Sequence, residues 1–199
     1  MKHDFAPLSY VRLEEDTTFL HPPEPPELIH LDSSATEVMT DFRFVHPITV
    51  PPHTPIDEAL EKMKSAGVRL LLITDKEQRV IGIITSRIIL GEQPIQIVRD
   101  KRIPRSKIPV DLVMTPRTEV PVLNMVSVRN AQVGHILKTL QQLDRKHLLV
   151  VEVDERTKKQ RICGLFSSSQ IGRQLGVTVV PETAAAQTFA EIQQQLGGW

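Results

Sequence analysis

The chain has 199 residues, 40% of them hydrophobic and only 4% aromatic, with a formal net charge of zero. That length suffices for one compact double-unit core, and neutrality removes any global attraction to nucleic acid or anionic membrane. A single Cys163 excludes an internal disulfide, as suits a reducing compartment. No apolar run approaches the roughly 18 residues that would span a bilayer, and the polar, acidic N-terminus is no signal peptide. These features predict a cytoplasmic protein without membrane or nucleic-acid partners; a nucleic-acid face would also need more aromatics among its basic residues.

Residues 1–35 read as an extended or disordered acidic arm. Eight acidic side chains lie within residues 1–37 against Lys2 and Arg12, and His21-Pro22-Pro23-Glu24-Pro25-Pro26 is confined to polyproline-type geometry. The triplet Val38-Met39-Thr40 then opens a unit over 36–92. Ile48-Thr49-Val50 is a short strand stopped by Pro51-Pro52. Thr54-Pro55-Ile56-Asp57 starts a helix, with Thr54 as cap and Pro at a tolerated first position. Ala59, Leu60 and Met63 form its buried face, and Gly67 ends it. Arg69–Thr74 and Arg79–Ile84 are two strands around the turn 75–78.

Residues 93–110 form a basic linker in which Arg99, Lys101, Arg102, Arg105 and Lys107 gather around Pro104, read first as a solvated connector and alternatively as a phosphate-contacting patch. A second unit, 111–178, opens on Val113-Met114-Thr115. Its helix contains Gly134–Leu140, and its strands run from His147 to Val153 and from Gln160 to Phe166 around a longer charged turn. Cys163 sits within the last strand as a buried, inert thiol. Residues 179–199 are expected to form an amphipathic C-terminal helix, with Ala185, Phe189, Ile192 and Leu196 at helical spacing.

The two units are copies, 75 residues apart at the triplet and 82 at the Gly of Gly82-Ile83-Ile84-Thr85 and Gly164-Leu165-Phe166-Ser167. The second copy has therefore acquired loop residues. Val-Met-Thr, a short strand, the Thr54-Pro55-Ile56-Asp57-Glu58-Ala59 helix start and Gly-Ile-Ile-Thr together resemble the CBS domain. The tandem arrangement resembles a CBS pair, or Bateman module, of the stand-alone bacterial type, over roughly residues 36–177. The resemblance implies an α+β fold, two βαββα repeats packed with pseudo-two-fold symmetry. It further implies two clefts for adenosine-containing ligands such as AMP, ADP, ATP or S-adenosylmethionine, and homodimerisation through the helices.

In nucleotide-binding CBS members a Ser or Thr after the third strand is followed three residues later by an Asp that holds the ribose. Here Thr85-Ser86-Arg87-Ile88 and Ser167-Ser168-Ser169-Gln170 both lack it. Losing a hydrogen bond to a charged group, about 1.5–3 kcal/mol, weakens ribose recognition roughly ten- to a hundredfold. Gln170 could still bond a hydroxyl, although Ser167-x-x-Gln170 also has the spacing of a helix capping box. By the same resemblance Thr49, Val50, Val120 and Val122 line the base pocket, while Arg69, Lys146 and His147 begin second strands within reach of a phosphate. Thr85, Ser86, Arg87, Ser167, Ser169 and Gln170 complete the candidate set.

No Gly-x-Ser-x-Gly elbow, phosphate loop or dinucleotide turn is present, and the seven His residues are scattered, with neither His46 nor His53 beside a Cys or carboxylate at metal-ligand spacing. The sequence thus predicts a non-enzymatic regulatory module. It would sense a small anionic ligand, foremost an adenine nucleotide, between the repeats and modulate an unknown protein partner in trans. The competing reading is a constitutive dimerisation scaffold without nucleotide binding. A third has the acidic arm or the basic linker fill a cleft.

Overall fold

The computed structural model describes residues 29–176; the polyproline segment and the expected C-terminal helix lie outside them. In chain order the strands are β1 (Thr40–Asp41), β2 (Thr49–Val50), β3 (Leu70–Thr74), β4 (Val80–Thr85), β5 (Thr115–Pro116), β6 (Val122–Asn124), β7 (His147–Val153) and β8 (Gln160–Ser167). The helices are α1 (Ile56–Ser65), α2 (Ser86–Leu90), α3 (Glu92–Lys101), α4 (Met125–Arg129), α5 (Val133–Gln142) and α6 (Ser168–Gln174). Together they give the α+β architecture of two four-stranded sheets, ordered β2-β3-β4-β5 and β1-β8-β7-β6.

The sheets exchange their edges. β1 follows the first Val-Met-Thr yet pairs antiparallel with β8, Thr40 opposite Leu165. β5 follows the second triplet and pairs with β4, Thr115 opposite Ile83. Each repeat thus sends its leading strand to the other repeat's sheet, a relationship the linear repeat does not display.

Burial explains the apolar runs. In β3, Leu71 and Ile73 enter the core of the first unit together with Ile56, Ala59, Met63 and Ile84. Leu70 and Leu72, on the opposite face, pack with Leu149 in a seam between the sheets, joined by Phe42, Val80, Ile83, Val120, Ile162 and Leu165. In β7, Leu148 and Val150 face the second core, with Ile136, Leu140, Phe166 and Ile171. A strand covered on both faces has no polar side, so its sequence is continuously hydrophobic rather than alternating.

Three expectations need correction. The segment 93–110 is no solvated connector: α3 occupies most of its first half, and Ile108 and Val110 are fully buried. Thr54 does not cap α1; the Ile56 N–H donates to the Ile108 carbonyl at 2.9 Å, and Val110 N–H donates to the Thr54 carbonyl at 2.8 Å. A linker carbonyl thus satisfies the free amide that a side chain was expected to satisfy. Arg105 also leaves the basic cluster: its guanidinium reaches Asp57 at 3.2 Å and the Ile89 carbonyl at 2.9 Å, fastening the linker to α1 and α2.

The end of the N-terminal arm docks too. Gly134 and Val133 N–H groups donate to the Leu31 and Ser33 carbonyls at 2.9 and 3.0 Å, and Ile29 and Leu31 pack against the second core. The extra residues of the second copy lie in α4, which has no counterpart in the first unit, and in the longer turn before β8. Cys163 is buried as expected; its thiol donates to the Val150 carbonyl at 3.5 Å, and desolvation pushes its pKa up, away from the reactive thiolate.

Candidate functional site

Register places most of the candidate residues at one end of each sheet. Leu70, the first residue of β3, lies opposite Thr85, the last of β4; His147 likewise lies opposite Ser167 at the β7–β8 end. The bonds outside the ladders repeat the relation: Ser86 N–H donates to the Arg69 carbonyl at 3.1 Å, and Ser168 N–H to the Lys146 carbonyl at 3.0 Å. Arg69 and Lys146 are therefore structural equivalents, as are Leu70 and His147. Because strand faces alternate, His147 projects on the seam side with Leu149, where the first unit has Leu70 and Leu72.

This seam end is electropositive. His147 is driven down to about 4 by desolvation, then by the positive charges of Arg69 and Lys146, so it is a neutral imidazole at pH 7. Lys146 is itself lowered by burial and by Arg87, against a smaller opposing effect of Asp144. Arg69 and Arg87 come from the first unit, Lys146 and His147 from the second. Like charges brought together across a desolvated boundary lower the affinity of each for its proton and attract an anion.

The two Ser/Thr turns behave differently. Thr85 Oγ1 accepts from Ile88 N–H at 3.4 Å and caps α2, while Ile88 packs against the first core. Ser167 makes no cap bond to α6; its hydroxyl pairs with that of Ser169 at 3.0 Å. The capping-box reading of Ser167 and Gln170 is thus overturned. Gln170 Oε1 instead accepts from Thr40 Oγ1 at 3.0 Å, so the amide holds the exchanged strand β1. Thr40 escaped the sequence reading as a site residue, although its place in the doubled triplet was the available signal.

The remaining candidates divide. Val120 joins the seam cluster and, with Thr118, Glu119, Pro121, Leu143 and Arg145, borders a shallow depression of about 360 Å³. Ser86 and Arg69 border another of about 320 Å³ on the helical side of the first unit, with Leu60, Val68 and Leu90. Thr49 is half-buried, and its carbonyl accepts from Lys62 Nζ at 2.9 Å. Val122 is exposed at the equivalent place in β6, whereas the Val50 side chain lies in the first core. Among the described residues no cluster of three His, Cys, Asp or Glu could hold a metal ion, and no helix is long and apolar enough to cross a membrane.

Residues 35–94 match the family model of the CBS domain. Known structures extend the likeness to the pair. An uncharacterized conserved protein from Pyrococcus horikoshii is 22% identical with a TM-score of 0.51, covering 76% of this chain and 98% of its own. Protein MJ1225 from Methanocaldococcus jannaschii is 22% identical with a TM-score of 0.52, covering 70% of this chain and 49% of its own. The CBS domain pair of protein MJ0100, in complex with 5′-methylthioadenosine and S-adenosyl-L-methionine, is 21% identical with a TM-score of 0.50, over 72% and 96%. The described body has the fold of a CBS pair. No curated protein matches the chain.

Proposed function

We propose that this protein is a non-enzymatic regulatory module that binds a small anionic ligand, foremost an adenine nucleotide, at the seam between its two units and modulates a protein partner in trans. The observation that carries the reading is the approach of cations across the seam, Arg69 of one unit acting on His147 of the other and Arg87 acting on Lys146. An anion there would relieve the repulsion between cations and tie the units together. Its differential affinity for two arrangements of the units is what would reach a partner. That MJ0100's pair holds adenosine-based molecules supports the ligand class.

The missing ribose Asp sets the expected strength. With Ile88 in the core and the Gln170 oxygen engaged by Thr40, recognition rests on the phosphate end. ATP and ADP are therefore expected to bind more tightly than AMP, and S-adenosylmethionine least. Thermal unfolding of the full chain with each ligand tests this: a ligand at a hundred times its Kd adds about 2.7 kcal/mol. Lys146→Glu should abolish the gain. Absence of any shift with all four at millimolar concentration would sink the sensor reading.

The same two contacts favour a second reading, a constitutive module whose clefts serve assembly alone. It predicts partner capture that is indifferent to nucleotide and to Lys146→Glu.

A further inference from the structure

Helix α3 presents an apolar strip that runs into a cationic end. Over its 10 residues only Pro94 is buried, while Ile95 is 65% and Val98 38% exposed, three residues apart on one helical face. Leu90, at the end of α2 and 61% exposed, continues the strip. At the C-terminal end follow Arg99, Lys101 and the left-handed Arg102, joined by Lys107 from the short turn Arg105–Lys107 that packs on α3. Arg99 is paired with Asp100 at 3.1 Å and Arg105 with Asp57 at 3.2 Å. Lys101, Arg102 and Lys107 are exposed and form no ion pair among the described residues. Such a surface is complemented by a segment that is itself both apolar and acidic.

The chain carries one. Glu14-Glu15-Asp16 is the only run of three acidic residues in the sequence, with Leu13 before it and Phe19-Leu20 shortly after. We infer that α3 is the docking surface for this chain's own segment from Leu13 to Leu20. Glu14, Glu15 and Asp16 meet Lys101, Arg102 and Lys107, and the flanking apolar side chains cover Ile95 and Val98. Thirteen steps of chain separate Asp16 from Ile29, a reach of roughly 40 Å when extended. That is about the diameter of a 150-residue body, so a segment that enters the fold beside α5 can reach the first unit. Tethering gives it an effective concentration on the order of millimolar, at which an intrinsic Kd of about 0.1 mM keeps about nine in ten chains docked. A second copy's segment competes only near that concentration. The surface lies apart from the seam residues Lys146 and His147, and the inference does not rest on a ligand there.

Carbodiimide cross-linking of the full chain at about 1 µM, far below the effective concentration, tests this with light and isotopically labelled protein mixed. Amide bonds from Lys101 or Lys107 to Glu14, Glu15 or Asp16 within one chain are expected, and Ile95→Glu should reduce their yield about fivefold or more. Hydrogen exchange supplies the second measurement. Glu14→Lys, Glu15→Lys and Asp16→Lys together should speed exchange of the α3 amides. Adding Lys101→Glu, Arg102→Glu and Lys107→Glu should restore their protection. Cross-links found solely between light and labelled chains, or none at all, overturn the inference. So does α3 exchange that is indifferent to the acidic substitutions, or a charge swap that restores nothing. Lys146→Glu should leave both measurements unchanged, so failure of the ligand reading and failure of this one are told apart.

Discussion

The Met39 sulfur lies 2.8 Å from the place a Cβ on Gly164 would occupy, with the Thr40 carbonyl 3.0 Å from the same point. The pseudo-symmetric contact is tighter, Met114 Sδ and the Thr115 carbonyl both at 2.7 Å from a Cβ on Gly82. Each methionine of the doubled triplet thus crosses to the other repeat and closes on its glycine, which fixes the strand exchange of β1 and β5.

Gly82→Ala and Gly164→Ala should therefore destabilise the protein by about 1–3 kcal/mol each, through overpacking. Gly82→Ala should cost more, since the backbone oxygen that a new methyl meets stands at 2.7 Å there against 3.0 Å at Gly164. Paired with Met39→Ala, Gly164→Ala should recover only part of its loss, because the Thr40 carbonyl still crowds the new methyl. Urea unfolding measures all of these; a neutral Gly82→Ala would contradict the lock.

His147 makes stability depend on pH in a defined window. Its folded pKa of about 4 lies below the ordinary 6.5, so between these values the unfolded chain binds a proton that the folded chain refuses. Its contribution is fully present above pH 6.5 and is lost as pH falls toward 4, by up to about 3 kcal/mol. His147→Leu, which copies Leu70 at the equivalent position, should flatten stability between pH 6.5 and 4.5. Asp41, Asp75 and Asp154, whose pKa values are lowered mainly by hydrogen bonds from Arg43, Arg79 and Thr157 respectively, act only further below. An unchanged slope in the Leu variant would remove His147 from the account.

Arg105→Met should cost about 1–2 kcal/mol, since the aliphatic part is kept while the Asp57 and Ile89 contacts are lost. The pair is partly solvated, which discounts its ionic share. Arg105→Lys should rescue little, because one ammonium does not reproduce the fork that spans both acceptors. Equal stability of Lys and Arg variants in urea would show that charge alone suffices.

Thr40→Val and Gln170→Leu, separately and together, measure the bond between the exchanged strand and α6. A coupling of about 1 kcal/mol is expected from one partly buried hydrogen bond. If Gln170 serves a ligand instead, the coupling in the free protein would vanish, and Gln170→Leu alone would weaken nucleotide binding.

Much of the architecture was legible because it is written in local chemistry. The strands from Leu70 and His147, the helix over Gly134–Leu140 and the buried Cys163 follow from apolar runs and periodicity. The candidate set at the strand starts also came together, since a repeat places equivalent residues at equivalent ends. What misled was local competition for polar groups. Thr54 and the Ser167–Gln170 pair have the spacing of caps, but Ile108 and Thr40, distant in sequence, supply the bonds. The linker misled in the same way: its charges suggested solvent, while Ile108, Val110 and Arg105 are held by the first unit.

The sequence by itself determined that the chain is a duplicated βαββα unit, because repeated triplets, helix signals and glycines are local and survive any arrangement of the copies. Only the tertiary structure decided which copy each leading strand completes, where His147 is desolvated, and what Gln170 holds. Those outcomes depend on contacts between residues more than a hundred positions apart in the case of Thr40 and Gln170, and such contacts exist only once both sheets have packed.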